Sequence, residues 1–189
     1  METRDRLLAE ALRLFATRGY EAVGVQEIVV AAGVTKPPLY HHFGSKEGLL
    51  KSLLQERYEE LFATLMPSLE YRGDLPMTLL SVAQAFFGFA QSNRDFYRLQ
   101  LALGFSGPES VACQAVVPYF GRQHALLEDL FKSVVSDHGN LRGHHEVYAT
   151  TFLGHINAAI ANVERGGREA NDQTVRQVVK LFMYGIYAL

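Results

Sequence analysis

The spacing of apolar residues along the chain predicts α-helices almost throughout. Leu8, Ala11, Leu12 and Phe15 recur at intervals of three and four residues, the period of one face of a helix. Gly19 follows this stripe and is a typical helix-ending residue. We therefore predict an all-α chain of about nine helices, at about 3–18, 25–32, 35–41, 46–67 (with Ser45 as N-cap), 75–92, 94–104, 109–135, 144–165 and 171–187.

Proline and glycine mark the expected breaks between these helices. Pro118 lies inside the predicted helix 109–135 and has no N–H to donate, so we expect this helix to be kinked or split there. Gly166 and Gly167 separate the last two helices. The sequence contains no convincing pair of strands and no internal repeat, which agrees with an all-α fold.

Composition limits the class of protein. The 189 residues are 48% apolar and 20% charged, which is typical of a globular chain. No apolar run approaches the roughly 18 residues of a membrane span, and the first ten residues do not fit a signal peptide. A single cysteine, Cys113, excludes a disulfide framework. We expect a cytoplasmic protein without membrane association.

The formal charge is unevenly distributed along the chain. Residues 1–51 contain seven Lys or Arg and six Asp or Glu, whereas residues 52–189 contain eleven and fourteen. The first segment therefore carries +1 and the second −3. This difference indicates only weakly that the N-terminal part meets an anionic partner.

A compact motif occupies residues 25–44. Two short predicted helices meet at Gly33, which permits the positive φ of a tight turn between helices. Apolar residues are spaced to face one small core shared with the first helix, namely Ile28, Ala31, Val34, Leu39 and Phe43. This is how a helix-turn-helix unit is built, and the second helix of such a unit enters the major groove of DNA.

The whole segment 4–50 resembles the DNA-binding domain of TetR-family transcriptional regulators. The resemblance rests on Leu14-Phe15, Arg18-Gly19-Tyr20, Ala32-Gly33-Val34, Leu39-Tyr40-His41-His42-Phe43 and Ser45-Lys46-Glu47. It implies a DNA-binding domain at 1–46 and a ligand-binding and dimerisation domain at 47–189. It also implies a homodimer on a double-stranded DNA operator, and a small-molecule effector that releases the DNA. Family members usually repress, although some activate.

Several residues of this segment are candidate DNA contacts. Lys46 begins the fourth helix, where a cation opposes the helix dipole, so a phosphate contact explains it better than a structural role. Lys36 starts the recognition helix and should reach a phosphate or a base edge. The matching family positions imply DNA contacts for Lys46, Tyr40 and His41, with packed or solvated side chains as the alternative.

Two departures from the family pattern affect these contacts. Pro37 and Pro38 lack the N–H groups that would cap onto Thr35, so its hydroxyl should be free for a phosphate or water. Pro38 can offer only an apolar contact, for instance to a thymine methyl. Gly24 replaces a hydroxyl residue at the start of the second helix and leaves only its N–H, while nearby Gln26 either touches DNA or is simply exposed.

The C-terminal part contains many aromatic residues and few charges between 77 and 120. These aromatics form either ordinary core or a pocket with a few polar groups. For the pocket alternative, the predicted effector is apolar or aromatic, and the candidate residues are Phe86, Phe89, Tyr97, Gln100, Leu101, Tyr119, His124, Phe152 and His155.

The last two predicted helices carry apolar faces that are either intrachain core or a dimer interface. The resemblance favours a four-helix bundle between two copies. The candidate interface residues are Phe152, Ile156, Ala159, Val175, Val179, Phe182 and Ile186.

Other functions find little support in the sequence. Gly104-Phe105-Ser106-Gly107 lacks the final glycine and the preceding strand of a nucleophile elbow, and no metalloprotease or P-loop signature occurs. We therefore expect no enzyme, no cofactor and no metal site, the histidines around 138–145 being solvated. The alternative function is a helical adaptor that no longer binds DNA, because of Pro37, Pro38 and Gly24.

Overall fold

The computed structural model describes residues 2–167 and 169–185. Over these ranges the chain forms nine α-helices and no strand, which confirms the predicted all-α fold. Two short 3-10 turns, Met66–Leu69 and Gly139–Leu141, lie between helices. The helices are α1 Thr3–Arg18, α2 Val25–Ala31, α3 Lys36–Phe43, α4 Lys46–Leu65, α5 Leu75–Ser92, α6 Arg94–Gly104, α7 Val111–Ser133, α8 His145–Glu164 and α9 Asp172–Tyr184.

Most helix ends lie within two residues of the predicted ones, because short-range capping chemistry sets them. The Ser45 hydroxyl accepts a 3.0 Å hydrogen bond from the N–H of Gly48 at the start of α4. The Asp74 carboxylate accepts one of 2.9 Å from the N–H of Met77 at the start of α5. Side chains that satisfy these first N–H groups are strong helix-start signals.

Pro118 does not divide its helix. α7 continues from Val111 to Ser133 with Pro118 inside it, so the split that we considered is excluded. Proline leaves the carbonyl four residues earlier, that of Gln114, without its helical donor. Both residues are exposed, so water can take the place of that donor.

The chain packs as two compact units. The first comprises residues up to Glu59 together with Asn93–Tyr119, and the second comprises Glu60–Ser92 together with the residues from Phe120 onward. This packing boundary differs from the predicted division at residues 46 and 47, which stays a prediction about function. The two boundaries differ because α1 packs against α6, which is distant from it in the sequence.

Each unit has its own apolar core. In the first unit, α1 contacts α2, α3 and α6, and buries Leu7, Leu8, Ala11, Leu14 and Phe15. In the second unit, α5 contacts α8 and α9, and buries the aromatic residues Phe86, Phe87 and Phe89 among others. None of the helices in the described ranges is both long and apolar enough to cross a membrane.

Candidate functional site

The candidate site begins with the small core under α2 and α3. Ile28 and Leu39 are fully buried and Phe43 is nearly so, while α1 contacts both helices. These three positions of the predicted core are confirmed. Ala31 is exposed and Val34 is half-buried, so they contribute less than predicted. Because Leu39 and Phe43 of α3 pack into this core, the opposite side of α3 faces the solvent.

The turn between α2 and α3 is held by backbone geometry. Gly33 has a φ of +64°, in the left-handed region that a side chain disfavours. The N–H of Val34 then donates to the carbonyl of Val29 at 2.9 Å, and that of Gly33 to Val30 at 3.1 Å. These bonds satisfy the last carbonyls of α2 and set the direction in which α3 starts.

The start of α3 leaves a hydroxyl without a capping bond. Thr35 is the N-cap residue and has extended backbone, yet its side chain makes no capping hydrogen bond. Pro37 and Pro38 occupy the positions whose N–H groups would donate to it. The structure thus agrees with the expectation that the Thr35 hydroxyl is available to another partner.

One side of α3 is open to solvent. Lys36, Pro37, Tyr40 and His41 share this side, and all four are exposed; we call these residues the recognition face. Three of them were predicted as DNA contacts. Pro38 is half-buried, so Pro37 provides the more accessible apolar surface. Pro37 lies four residues before His41 and so on the same side of the helix, a spacing that could have identified Pro37 as a candidate contact from the sequence.

Polar groups at the start of α2 bond to one another and to the end of α1. Gln26 is exposed, as a DNA contact would require. The N–H of Gly24 donates to the Glu27 carboxylate at 3.0 Å, and Glu27 also pairs with Arg18. That N–H is therefore not left for a phosphate, which corrects our expectation; the three-residue spacing is that of a capping box. The Gly24 N–H and then Arg18 hold the pKa of Glu27 below its usual value.

Lys46 is also engaged inside the fold. Its ammonium donates to the carbonyls of Tyr20 and Val23, both at 3.1 Å, and lies 4.2 Å from the centre of the Tyr20 ring. Lys46 therefore has structural partners in this fold, and its contact with a DNA phosphate stays a prediction. Burial, followed by the charges of Glu21 and Glu47, raises the pKa of Tyr20 to about 12.

Comparisons with known proteins agree with this helix-turn-helix. The family model for "Bacterial regulatory proteins, tetR family" matches residues 7–53, from α1 into α4. The HTH-type transcriptional activator FasR of Mycolicibacterium smegmatis is 36% identical over 116 residues, which are 61% of this chain and 53% of that protein. Residues 7–53 belong to the TetR family. The chain spans about half the length of this curated relative.

Solved structures extend the likeness over the whole chain. The regulator PfmR from Thermus thermophilus has a TM-score of 0.76 at 27% identity, covering 96% of this chain and 99% of that one. The fatty acid degradation regulator FadR from Bacillus halodurans has a TM-score of 0.83 at 20% identity, covering 100% and 98%. At that identity FadR shows a common fold alone.

The predicted effector-binding residues are divided between the two units of the chain. Phe86, Phe89, His124, Phe152 and His155 belong to the second unit, and Tyr97, Gln100, Leu101 and Tyr119 to the first. Phe86, Phe89, Phe152, Tyr97 and Gln100 are buried, whereas Leu101, Tyr119, His124 and His155 keep some exposed surface.

Two of the polar members already have partners within their own unit. The side-chain carbonyl of Gln100 accepts a 2.7 Å hydrogen bond from the hydroxyl of Tyr58. Nε2 of His124 lies 2.8 Å from the hydroxyl of Thr150, which links α7 to α8. Tyr58, which the sequence reasoning did not single out, is fully buried and stacks on the ring of Tyr119 at 4.3 Å.

The predicted dimer residues divide into core and surface. Phe152, Ile156, Val175 and Val179 are at most 6% exposed within one chain, so they are core residues, which corrects their assignment to an interface. Ala159 and Phe182 keep some exposed surface, and Ile186 lies outside the described residues. Between α8 and α9 a groove of about 230 Å³ is lined by His155, Ala158, Ala159, Asn162, Thr174, Val178 and Leu181.

In residues 2–167 and 169–185, no three His, Cys, Asp or Glu side chains come together in a way that could hold a metal ion.

Proposed function

We propose that this chain is a DNA-binding transcriptional regulator whose affinity for its operator is controlled by a small molecule. The observation that carries the proposal is the recognition face, which stays exposed because Leu39 and Phe43 on the other side of α3 are buried. A helix held by one face and open on the other is what a major groove accepts.

The recognition face carries groups that suit both the phosphates and the base edges of a DNA groove. Lys36 supplies a cation for a phosphate, and Tyr40 and His41 supply hydrogen-bonding groups. Pro37 supplies an apolar surface that fits a thymine methyl. Because the two prolines remove N–H groups from the start of α3, phosphate binding there falls to the Lys36 ammonium and the Thr35 hydroxyl.

The regulator acts as a homodimer in this proposal. Two recognition helices enter successive major grooves when they lie ~34–36 Å apart, and a single helix binds weakly. The groove between α8 and α9 supports a second copy as the partner. Ala158 and Ala159 in its lining would let a helix approach closely.

The effector in this proposal is apolar or aromatic, and it releases the operator, so the regulator represses. The buried aromatics Phe86 and Phe89 of the second unit support a ligand of this kind. The effector acts by binding more tightly to a form of the dimer in which the recognition helices are wrongly spaced. In bacteria such a regulator works in the cytoplasm, where the chromosome lies.

The experiment is a selection of bound fragments from the source organism's genomic DNA at ~150 mM salt, a concentration at which non-specific phosphate binding is weak. We expect the wild type to enrich a palindromic site and Tyr40→Ala to lose that enrichment. Lys132→Ala, on α7 in the second unit, is the control and should enrich the same site. If wild type and Tyr40→Ala enrich nothing even after removal of small molecules by refolding, the chain is an adaptor and the proposal fails.

A further inference from the structure

Lys46 connects the start of α4 to the loop that precedes α2. Its ammonium donates to two carbonyls of that loop, those of Tyr20 and Val23, each at 3.1 Å. The ring of Tyr20 lies 4.2 Å from the same nitrogen, a distance at which a cation is attracted to an aromatic face. An ammonium has three donors, and here two are used and one side is covered by the ring.

The two carbonyls belong to well-anchored residues. Tyr20 is 6% exposed and packs against Phe15 with ring centres 5.1 Å apart, and Val23 is 1% exposed. Gly24, the N-cap residue of α2, follows Val23 directly. A bond to the Val23 carbonyl therefore fixes the point at which α2 begins.

The start of α2 is also tied from its other side. Glu27 accepts the N–H of Gly24, and Arg18 pairs with Glu27 and donates to the carbonyl of Ala22 at 3.2 Å. Arg18 and Glu27 tie the loop to α1 and α2, whereas Lys46 alone of these three charged residues ties it to α4. Removing Lys46 thus frees the loop from α4 while the other bonds persist.

We propose that Lys46 is a positioning residue, which holds the N-terminus of α2 in place for DNA binding and does not itself neutralise a DNA phosphate. To reach a phosphate, the ammonium must give up two carbonyl bonds and the ring of a buried tyrosine. Leaving the loop would break both charged hydrogen bonds and take this donor from the carbonyl of buried Val23, so the ammonium stays with the loop. This inference rests on the proposed DNA binding.

The test compares Lys46→Met with Lys36→Ala. Methionine keeps an unbranched chain over the Tyr20 ring but has no donor. Affinity for a random-sequence 30-bp duplex is measured by fluorescence anisotropy between roughly 50 and 250 mM salt, at about 10 °C, on variants that circular dichroism shows to be folded. A lost phosphate contact lowers the slope of log affinity against log salt by about 0.9.

We expect Lys36→Ala to lower this slope by that amount and Lys46→Met to leave it unchanged. Lys46→Met should weaken binding roughly three- to tenfold at every salt concentration, the scale of one ordinary lost hydrogen bond. Amide hydrogen exchange of the DNA-free protein should become faster at residues 20–26 in Lys46→Met and stay unchanged in Lys36→Ala.

A stability control separates positioning from mere stabilisation. Asn171→Ala removes the side chain that caps α9, where Asn171 accepts the N–H of Thr174 at 3.0 Å. It should lower the melting temperature without changing DNA affinity. The proposal is overturned if the slope of Lys46→Met falls as far as that of Lys36→Ala, or if its affinity equals that of wild type. If the wild type binds no DNA, the proposed function fails, and the exchange rates alone decide whether Lys46 holds the loop.

Discussion

The hydroxyl of Tyr58 in α4 donates a 2.7 Å hydrogen bond to the side-chain carbonyl of Gln100 in α6, and both residues are almost fully buried. The bond joins α4 to α6 through two residues that are 42 positions apart in the chain. It satisfies polar groups that the apolar core would otherwise leave unpaired.

Removing this bond should destabilise the protein. Tyr58→Phe keeps the ring that stacks on Tyr119 but leaves the Gln100 carbonyl without this donor, so the free energy of unfolding should fall by about 1–2 kcal/mol. Urea denaturation measures the change. Tyr119→Phe is the matched control, since it removes a hydroxyl that is only partly buried, and it should cost less than half as much. Equal effects of the two variants would contradict the role given to the Tyr58–Gln100 bond.

Two glycines should respond in opposite directions to alanine. Gly33→Ala forces a side chain into a φ of +64°, which should cost about 1–2 kcal/mol of folding free energy. Space is not the reason, because the nearest atom to the new Cβ is Nη1 of Arg6 at 4.0 Å. Gly88→Ala, inside α5 with no atom within 4 Å, should stabilise by about 0.5–1 kcal/mol. Thermal unfolding tests both, and a stabilising Gly33→Ala would refute the argument.

Two N-cap residues should differ in their contribution to stability. Asn171 caps α9 through a 3.0 Å bond from the N–H of Thr174, so Asn171→Ala should cost about 1 kcal/mol. Thr35 makes no such bond, so Thr35→Ala should change stability by less than about 0.5 kcal/mol. If Thr35 binds a phosphate, this variant should nevertheless lower DNA affinity, as anisotropy would detect. A loss of stability as large as that of Asn171→Ala would show a hidden capping role.

The ionised Glu27 should stabilise the start of α2 in a pH-dependent way. Its pKa is lowered from 4.5, chiefly by the Gly24 N–H and then by Arg18. A lowered pKa means that the stabilisation is complete above the unfolded-state value and is lost as the pH falls through the folded-state value. Wild type should therefore melt above Glu27→Gln at pH 6–7, and the gap should close progressively below about pH 4.5. A gap that persists unchanged to pH 3 would contradict this assignment.

The groove between α8 and α9 should be sensitive to charge if a second copy occupies it. Ala158 is exposed within one chain, so Ala158→Glu should fold normally but place a carboxylate in the interface. Light scattering should give the mass of two 21.1-kDa chains for the wild type and of one for the variant. Ala125→Glu, exposed on α7, should remain a dimer. A wild type that is monomeric at micromolar concentration would refute the dimer proposal.

The helix-turn-helix could be predicted almost completely from the sequence, because its chemistry is local. Apolar spacing within α2 and α3, the turn at Gly33 and the paired prolines all act over a few residues. They placed Leu39 and Phe43 inside and Lys36, Tyr40 and His41 outside. Three positions differ from the prediction: Ala31 and Val34 are less buried than expected, and Pro37 is more exposed than Pro38. The last difference depends on the rotation of a helix about its axis by one residue.

Contacts between distant segments were decided only by the tertiary structure. The sequence shows a lysine at the start of α4, but the two carbonyls that it binds lie 23 and 26 residues earlier. It shows apolar stripes on α8 and α9, but Phe152 and Val175 are buried by their own chain. Periodicity identifies that a face is apolar, whereas the partner that covers it depends on how the helices are arranged in space. That arrangement is set by the sum of many long-range contacts, which no short segment contains.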